Sequence, residues 1–165
     1  YNAGKGTEKN EEKAFEYFME AARKGDLDGQ FQVGSFYFEG KGNVLVDYAK
    51  AVYWLTKSAE QDCKWAFPRL GVCYQQGLGV QKNYECAFDL FTRGEEYLDD
   101  FGNLLKGYVL NGLGTAYAFG YGTEEDIARG IAYYNRAIAC GSEEAEMDKK
   151  HFRKTMLGLG KWVRK

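Results

Sequence analysis

The chain has 165 residues with 21 Gly and one Pro, so glycine stands at about 13% against a usual ~7%. Collagen is excluded, because it needs abundant proline with glycine at every third place. A disordered linker is excluded by 45% hydrophobic and 16% aromatic residues, and a net charge of −2 gives no general attraction for nucleic acid.

The glycines recur with a period. The pattern Y-x-x-G-x-G occurs at Tyr1, Tyr37, Tyr74 and Tyr117, and a further glycine precedes the last three tyrosines at Gly34, Gly71 and Gly114. A second block follows each glycine pair, as in DYAKAVYWLTKSA. Both blocks read as helix, so one repeat is a front helix, a tight turn and a back helix of about 36 residues in all.

In chain order, residues 1–27 form a partial repeat without its front helix. They hold a turn at Gly4/Gly6 and a back helix opened by Asn10, with small residues at Ala14 and Ala21. That leaves an apolar face near residues 14–22 to be covered. With no initiator Met and no leader, the chain reads as an excised or processed piece of a longer protein.

Residues 28–62 carry a front helix around Gly34, a stop at Gly40, a one-residue insertion at 43–46 and a back helix capped by Asp47. Residues 63–98 repeat this around Gly71, with the back helix opening at Asn83. Pro68 lies inside the front helix and should loosen its first turn or start it late. Residues 99–142 have a front helix about two turns longer and a back helix capped by Asp126. Small residues two turns apart, Ala51/Ser58, Ala87/Gly94 and Gly130/Ala137, line each back helix where a neighbour can approach closely. Residues 143–165 break the pattern and read as a basic capping helix with Phe152, Met156, Leu159 and Val163 on one face. Within it, residues 148–165 hold seven Lys/Arg against one acid.

Chemistry finds little support. Cys63, Cys73, Cys86 and Cys140 form no C-x-x-C pair, and His151 is the lone histidine, in the charged cap. No metal site or Cys–His nucleophile is expected, and buried free thiols are favoured over disulfides. GSFYFEGKG lacks the spacing, the Ser/Thr and the preceding strand of a phosphate loop. No catalysis and no cofactor are expected. No apolar run reaches the ~18 residues of a membrane span.

The runs Leu70, Gly71, Tyr74, Gly77, Gly79, Val80 and Asp47, Lys50, Ala51, Trp54, Lys57, Ala59 resemble the Sel-1-like repeat, a relative of the tetratricopeptide repeat, over residues 1–142. The resemblance implies an all-α fold, a right-handed α-solenoid of stacked antiparallel helix pairs. It implies a scaffold or adaptor that binds a protein or peptide segment and does not imply catalysis; from the charge, no nucleic-acid partner is expected. By analogy with the tetratricopeptide stack, the front helices line a concave face. That selects Gln32, Ser35, Phe38, Glu39, Trp65, Arg69, Val72, Gln75, Gln76, Tyr108, Asn111, Thr115 and Phe119 as partner-binding positions, where rings give contact area and amides bond to backbone. Two other readings stay open: a structural or regulatory solenoid segment of a larger protein, or a binder of envelope polysaccharide or a small ligand.

Overall fold

A computed structural model describes residues 3–158, with side chains from 10 to 153. Eight α-helices are present among them and no strand: α1 Ala3–Arg23, α2 Leu27–Glu39, α3 Tyr48–Ala59, α4 Ala66–Gln76, α5 Tyr84–Glu95, α6 Asn103–Phe119, α7 Ile127–Ala139 and α8 Glu143–Gly158. The fold is all-α, as the repeat pattern requires. The chain divides into two compact units, Tyr1–Asn83 with α1–α4 and Tyr84–Lys165 with α5–α8.

In the first unit α2 packs against both α1 and α3, and α3 against α4. In the second, α6 packs between α5 and α7, and α8 lies against α7 and α6. The cores are built from the small and large positions of the repeat. Ala51, Leu55 and Ser58 of α3 are fully buried, as are Tyr134 and Ala137 of α7. The front-helix glycines make room for these residues. A Cβ on Gly34 would lie 2.7 Å from Leu55 Cγ, and one on Gly114 would lie 2.8 Å from Tyr134 Cδ1.

The turns are near-identical copies. Helices α2, α4 and α6 each end on a left-handed glycine, Gly40, Gly77 and Gly120. The N–H of Asp47, Asn83 and Asp126 then donates back to the carbonyl of the repeat tyrosine, Tyr37, Tyr74 and Tyr117, at 2.9, 2.9 and 2.8 Å. Asp47 and Asp126 cap their helices by accepting from Lys50 N–H and Arg129 N–H, both at 3.0 Å. The turn before α3 holds eight residues and the other two hold seven, which places the insertion at 43–46. Helix α6 has 17 residues against 13 in α2 and 11 in α4.

The second glycine of each turn has a further task that spacing alone did not reveal. Gly79, at φ +68, lies on the first turn of α3, where a Cβ would overlap the Tyr48 carbonyl carbon and the Ala49 nitrogen. Gly122 lies in the same way on Tyr84 and Glu85, and Gly42 lies on Glu11 and Glu12 with its N–H donating to Glu11 Oε2 at 2.9 Å. Each such glycine therefore seats its turn on the preceding back helix.

Two expectations change. Gly4 and Gly6 do not make a turn and Asn10 does not cap a helix, since all three lie inside α1. The turn closure of the later copies is not formed here, because the helix runs on through both glycines. The repeat tyrosines Tyr37, Tyr74 and Tyr117 have half-buried rings. Helix α4 does start late: it begins at Ala66, and Pro68 sits in its first turn, where the missing N–H has no helical acceptor to lose.

In α8, Phe152 and Ala145 are buried, and Phe152 meets Phe119 edge to face with ring centroids 5.4 Å apart. The side chains of Met156, Leu159 and Val163 lie outside the described residues.

Candidate functional site

The residues selected for partner binding separate into a buried layer and an accessible layer. On α2, Gln32, Ser35 and Glu39 follow helical spacing along one stripe. Trp65 at the N-cap of α4, with Arg69, Val72 and Gln76 within it, does the same. The two stripes meet, because Arg69 Nη2 donates to Glu39 Oε1 across the α2–α4 contact. Lys41 pairs with the other oxygen, Oε2. Burial pushes the Glu39 carboxyl up, but hydrogen bonds from Lys41 and Arg69 and their charges outweigh it, so the group is held below the usual carboxylate range.

Beneath this pair the face is closed. Ser35 is 5% exposed and its hydroxyl donates to Phe31 O at 2.9 Å. Val72 is buried, and Arg69 is 7% exposed with its guanidinium 5.3 Å from the centre of the Phe31 ring. These three positions are therefore the floor, not the contact layer, and Arg69 shows how a side chain placed on the face by spacing is drawn down by an ion pair. Above the floor, Gln76 is exposed, while Gln32, Phe38, Glu39, Trp65 and Gln75 are partly exposed. The Lys64 ammonium sits 5.2 Å from the centre of the Trp65 ring.

The second unit is different. Asn111 is 6% exposed and its Nδ2 donates to Asp148 Oδ2 of α8 at 3.0 Å. Thr115 Oγ1 and Tyr134 Oη lie 3.0 Å apart. Phe119 stacks on Tyr121 and meets Phe152. The capping helix thus occupies much of the α6 face, and Tyr108 is left half-buried beside a cleft of about 400 Å³ formed with Leu104, Gly107, Cys140 and Ser142.

A polar cluster outside the selected positions joins α5, the α6 end and α7. Arg129 lies 4.2 Å from the centre of the Tyr117 ring, and Tyr117 stacks parallel to Tyr133 at 5.6 Å. Tyr133 Oη donates to Glu95 Oε1 at 2.9 Å, and Arg136 Nη1 reaches the same oxygen at 3.3 Å. This cluster ties α5 to α7 and has the chemistry of a structural clasp. The signal available was positional: Arg129 and Lys50 occupy the same place in their repeats, and Lys50 covers Tyr37 at 5.2 Å as Arg129 covers Tyr117.

All four cysteines are free thiols. Cys63 and Cys73 are buried, and burial pushes the Cys73 thiol up to about 12. No helix among the described residues is long and apolar enough to cross a membrane.

The Sel1 repeat family model matches residues 1–26, 27–63, 69–95 and 108–142. The chain belongs to the Sel1 repeat family. Its members are protein-interaction modules, typically non-enzymatic scaffolds. A curated Sel1-containing relative, the ERAD-associated E3 ubiquitin-protein ligase component HRD3B of Arabidopsis thaliana, is 30% identical over 118 residues, which is 71% of this chain and 17% of that protein. The Sel1 repeat protein of Oxalobacter formigenes superposes with a TM-score of 0.64 at 29% identity, over 88% of this chain and 56% of that one. A protective antigen of uropathogenic Escherichia coli with the same repeat fold gives 0.60 at 28% identity, over 87% of this chain and 29% of that one. The chain thus spans about a sixth of the length of its curated relative, and the Sel1 repeats set the fold as an α-solenoid of helix pairs.

Proposed function

We propose that the chain is a scaffold segment that binds an extended protein or peptide partner on the front-helix face of its first unit, across α2 and α4. The observation that carries this reading is the layered face itself. A floor closed by Ser35, Arg69 and Val72 supports a rim of partly exposed rings and amides, Phe38, Trp65, Gln32, Gln75 and Gln76. Rings on a rigid floor give large contact area at low entropic cost, and side-chain amides can both donate to and accept from a peptide backbone. Family membership supports the class of activity. The proposal narrows the face to the first unit because α8 covers Asn111 and Phe119 in the second.

The test is a pair of substitutions, Trp65→Ala and Gln76→Ala, assayed by pull-down of partners from the native source with helicity followed by circular dichroism. Loss of Trp65 should weaken partner capture by tenfold or more, in the range of an aromatic interface anchor at about 2 kcal/mol, with helicity retained. Undiminished capture by the double variant would show that the partner does not bind on this face.

A further inference from the structure

The turn before α7 is fastened to α5 by a pair of phenols. Gly122 lies on the first turn of α5, where a Cβ would come within 2.4 Å of the Tyr84 carbonyl oxygen. Tyr84 is the first residue of α5, and Tyr121 stands between the turn glycines Gly120 and Gly122. This close backbone contact holds their rings together, stacked with centroids 4.1 Å apart and planes 10° from parallel. The two hydroxyls are hydrogen-bonded to each other. The rings therefore overlap hydroxyl end on hydroxyl end, and the ring carbons beside the hydroxyls face one another across the stack. Phe119 stacks on Tyr121 at 5.4 Å and backs its ring. Both tyrosines are half-buried, so an electron can leave either ring for an oxidant in solution.

The preceding copies lack this pair. The same two places hold Tyr48 and Leu78 where Gly79 lies on α3, and Glu11 and Lys41 where Gly42 lies on α1. Tyr117 and Tyr133 also stack, but at 5.6 Å, and Tyr133 is 6% exposed with its hydroxyl donating to Glu95 and not to a second phenol.

We propose that Tyr84 and Tyr121 form an oxidative cross-linking site: a haem peroxidase with hydrogen peroxide couples them, through the ring carbons beside their hydroxyls, into a dityrosine that staples the turn before α7 to the first turn of α5. Each phenol gives up one electron and one proton to the oxidant. The two phenoxyl radicals join in a new carbon–carbon bond. Each bonded carbon then loses its hydrogen as a proton, and each oxygen takes a proton back, which restores two phenols. The two electrons and two protons removed in all reduce one hydrogen peroxide to two waters. No backbone movement is needed to bring the partners together, because the Gly122 contact already holds them in place.

The experiment treats the full chain, at low concentration, with a haem peroxidase and hydrogen peroxide. Monomer is separated from dimer, and tyrosine links are mapped by digestion and mass spectrometry. The expected result is a monomer lighter by two hydrogen atoms. Tyr84 should be joined to Tyr121 about tenfold or more above any other tyrosine pair, because groups held in contact react at a high effective concentration. Tyr121→Leu, which installs the residue of the preceding copy, and Tyr84→Phe should each abolish this link with helicity unchanged by circular dichroism. The cross-linked monomer should unfold at a higher urea concentration than the untreated chain, as a bond that closes a loop in the unfolded state does. Treated Tyr121→Leu should show no such rise. A link that forms as well in urea as in native buffer would overturn the proposal. So would links spread over the exposed Tyr17 and Tyr53 with no enrichment at Tyr84–Tyr121. An enriched link without a rise in the urea midpoint would overturn its role as a staple.

Discussion

Gly79 shows how much a single repeat position carries. Its left-handed φ of +68 and the overlap that a Cβ would make with Tyr48 and Ala49 add two separate penalties to Gly79→Ala. The expected loss is about 2 kcal/mol or more, read as a lower midpoint in urea unfolding. Gly25, at φ +91 with open space around it, isolates the conformational part, and Gly25→Ala should cost only about 1 kcal/mol. Gly102 inverts the sign. It stands at the N-cap of α6 with an ordinary φ of −70, no side-chain cap and nothing near its missing Cβ. Gly102→Ser should therefore stabilise, by about 0.5 kcal/mol. Glu39 supplies the pH dependence at this scale. Its folded pKa lies below its ordinary value of 4.5, so its stabilising contribution is complete above that value and fades as pH falls through the lower, folded one. Wild-type stability followed downward from pH 5 should drop more steeply than that of Glu39→Gln; parallel curves would mean that the Arg69–Glu39–Lys41 cluster adds nothing.

At the scale of the helix, most of the architecture was legible in the sequence, because the repeat supplies its own controls. Caps at Asp47 and Asp126, stops at Gly40, Gly77 and Gly120, the long α6 and the late start at Pro68 each rest on local backbone chemistry, and each stands in the structure. The first copy departs from this: Gly4 and Gly6 match the turn pattern but lie within the continuous helix α1. The candidate face was legible as a pair of stripes but not as layers. Spacing places Arg69 and Asn111 on the front face, and only the ion pair to Glu39 and the hydrogen bond to Asp148 show that both are drawn out of reach. Such long-range pairs leave no mark in a helical period. The thiols give a check on packing at this scale. Cys86 is exposed on α5, whereas Cys63 and Cys73 are buried. Alkylation of the native chain with iodoacetamide should label Cys86 readily and spare Cys63 and Cys73 until the chain is unfolded in urea, as read by mass spectrometry. Prompt labelling of Cys73 in native buffer would contradict the packing of α4.

At the scale of the whole molecule, the repeats solve a problem of self-burial. The front-helix glycines Gly34 and Gly114 admit Leu55 and Tyr134 from the back helices, and the second turn glycines Gly42, Gly79 and Gly122 rest on the helix before them. In the second unit α8 closes this series by lying against α6 and α7. The rim over α2 and α4 is the proposed partner face. Hydrogen exchange measured by mass spectrometry on the chain, with and without a captured partner, tests that assignment most directly. Protection on binding should appear in peptides spanning α2 and α4, with α3 and α7 unchanged. Protection confined to α1, α3 or α7, with none at Gln32–Glu39 or Trp65–Gln76, would contradict it.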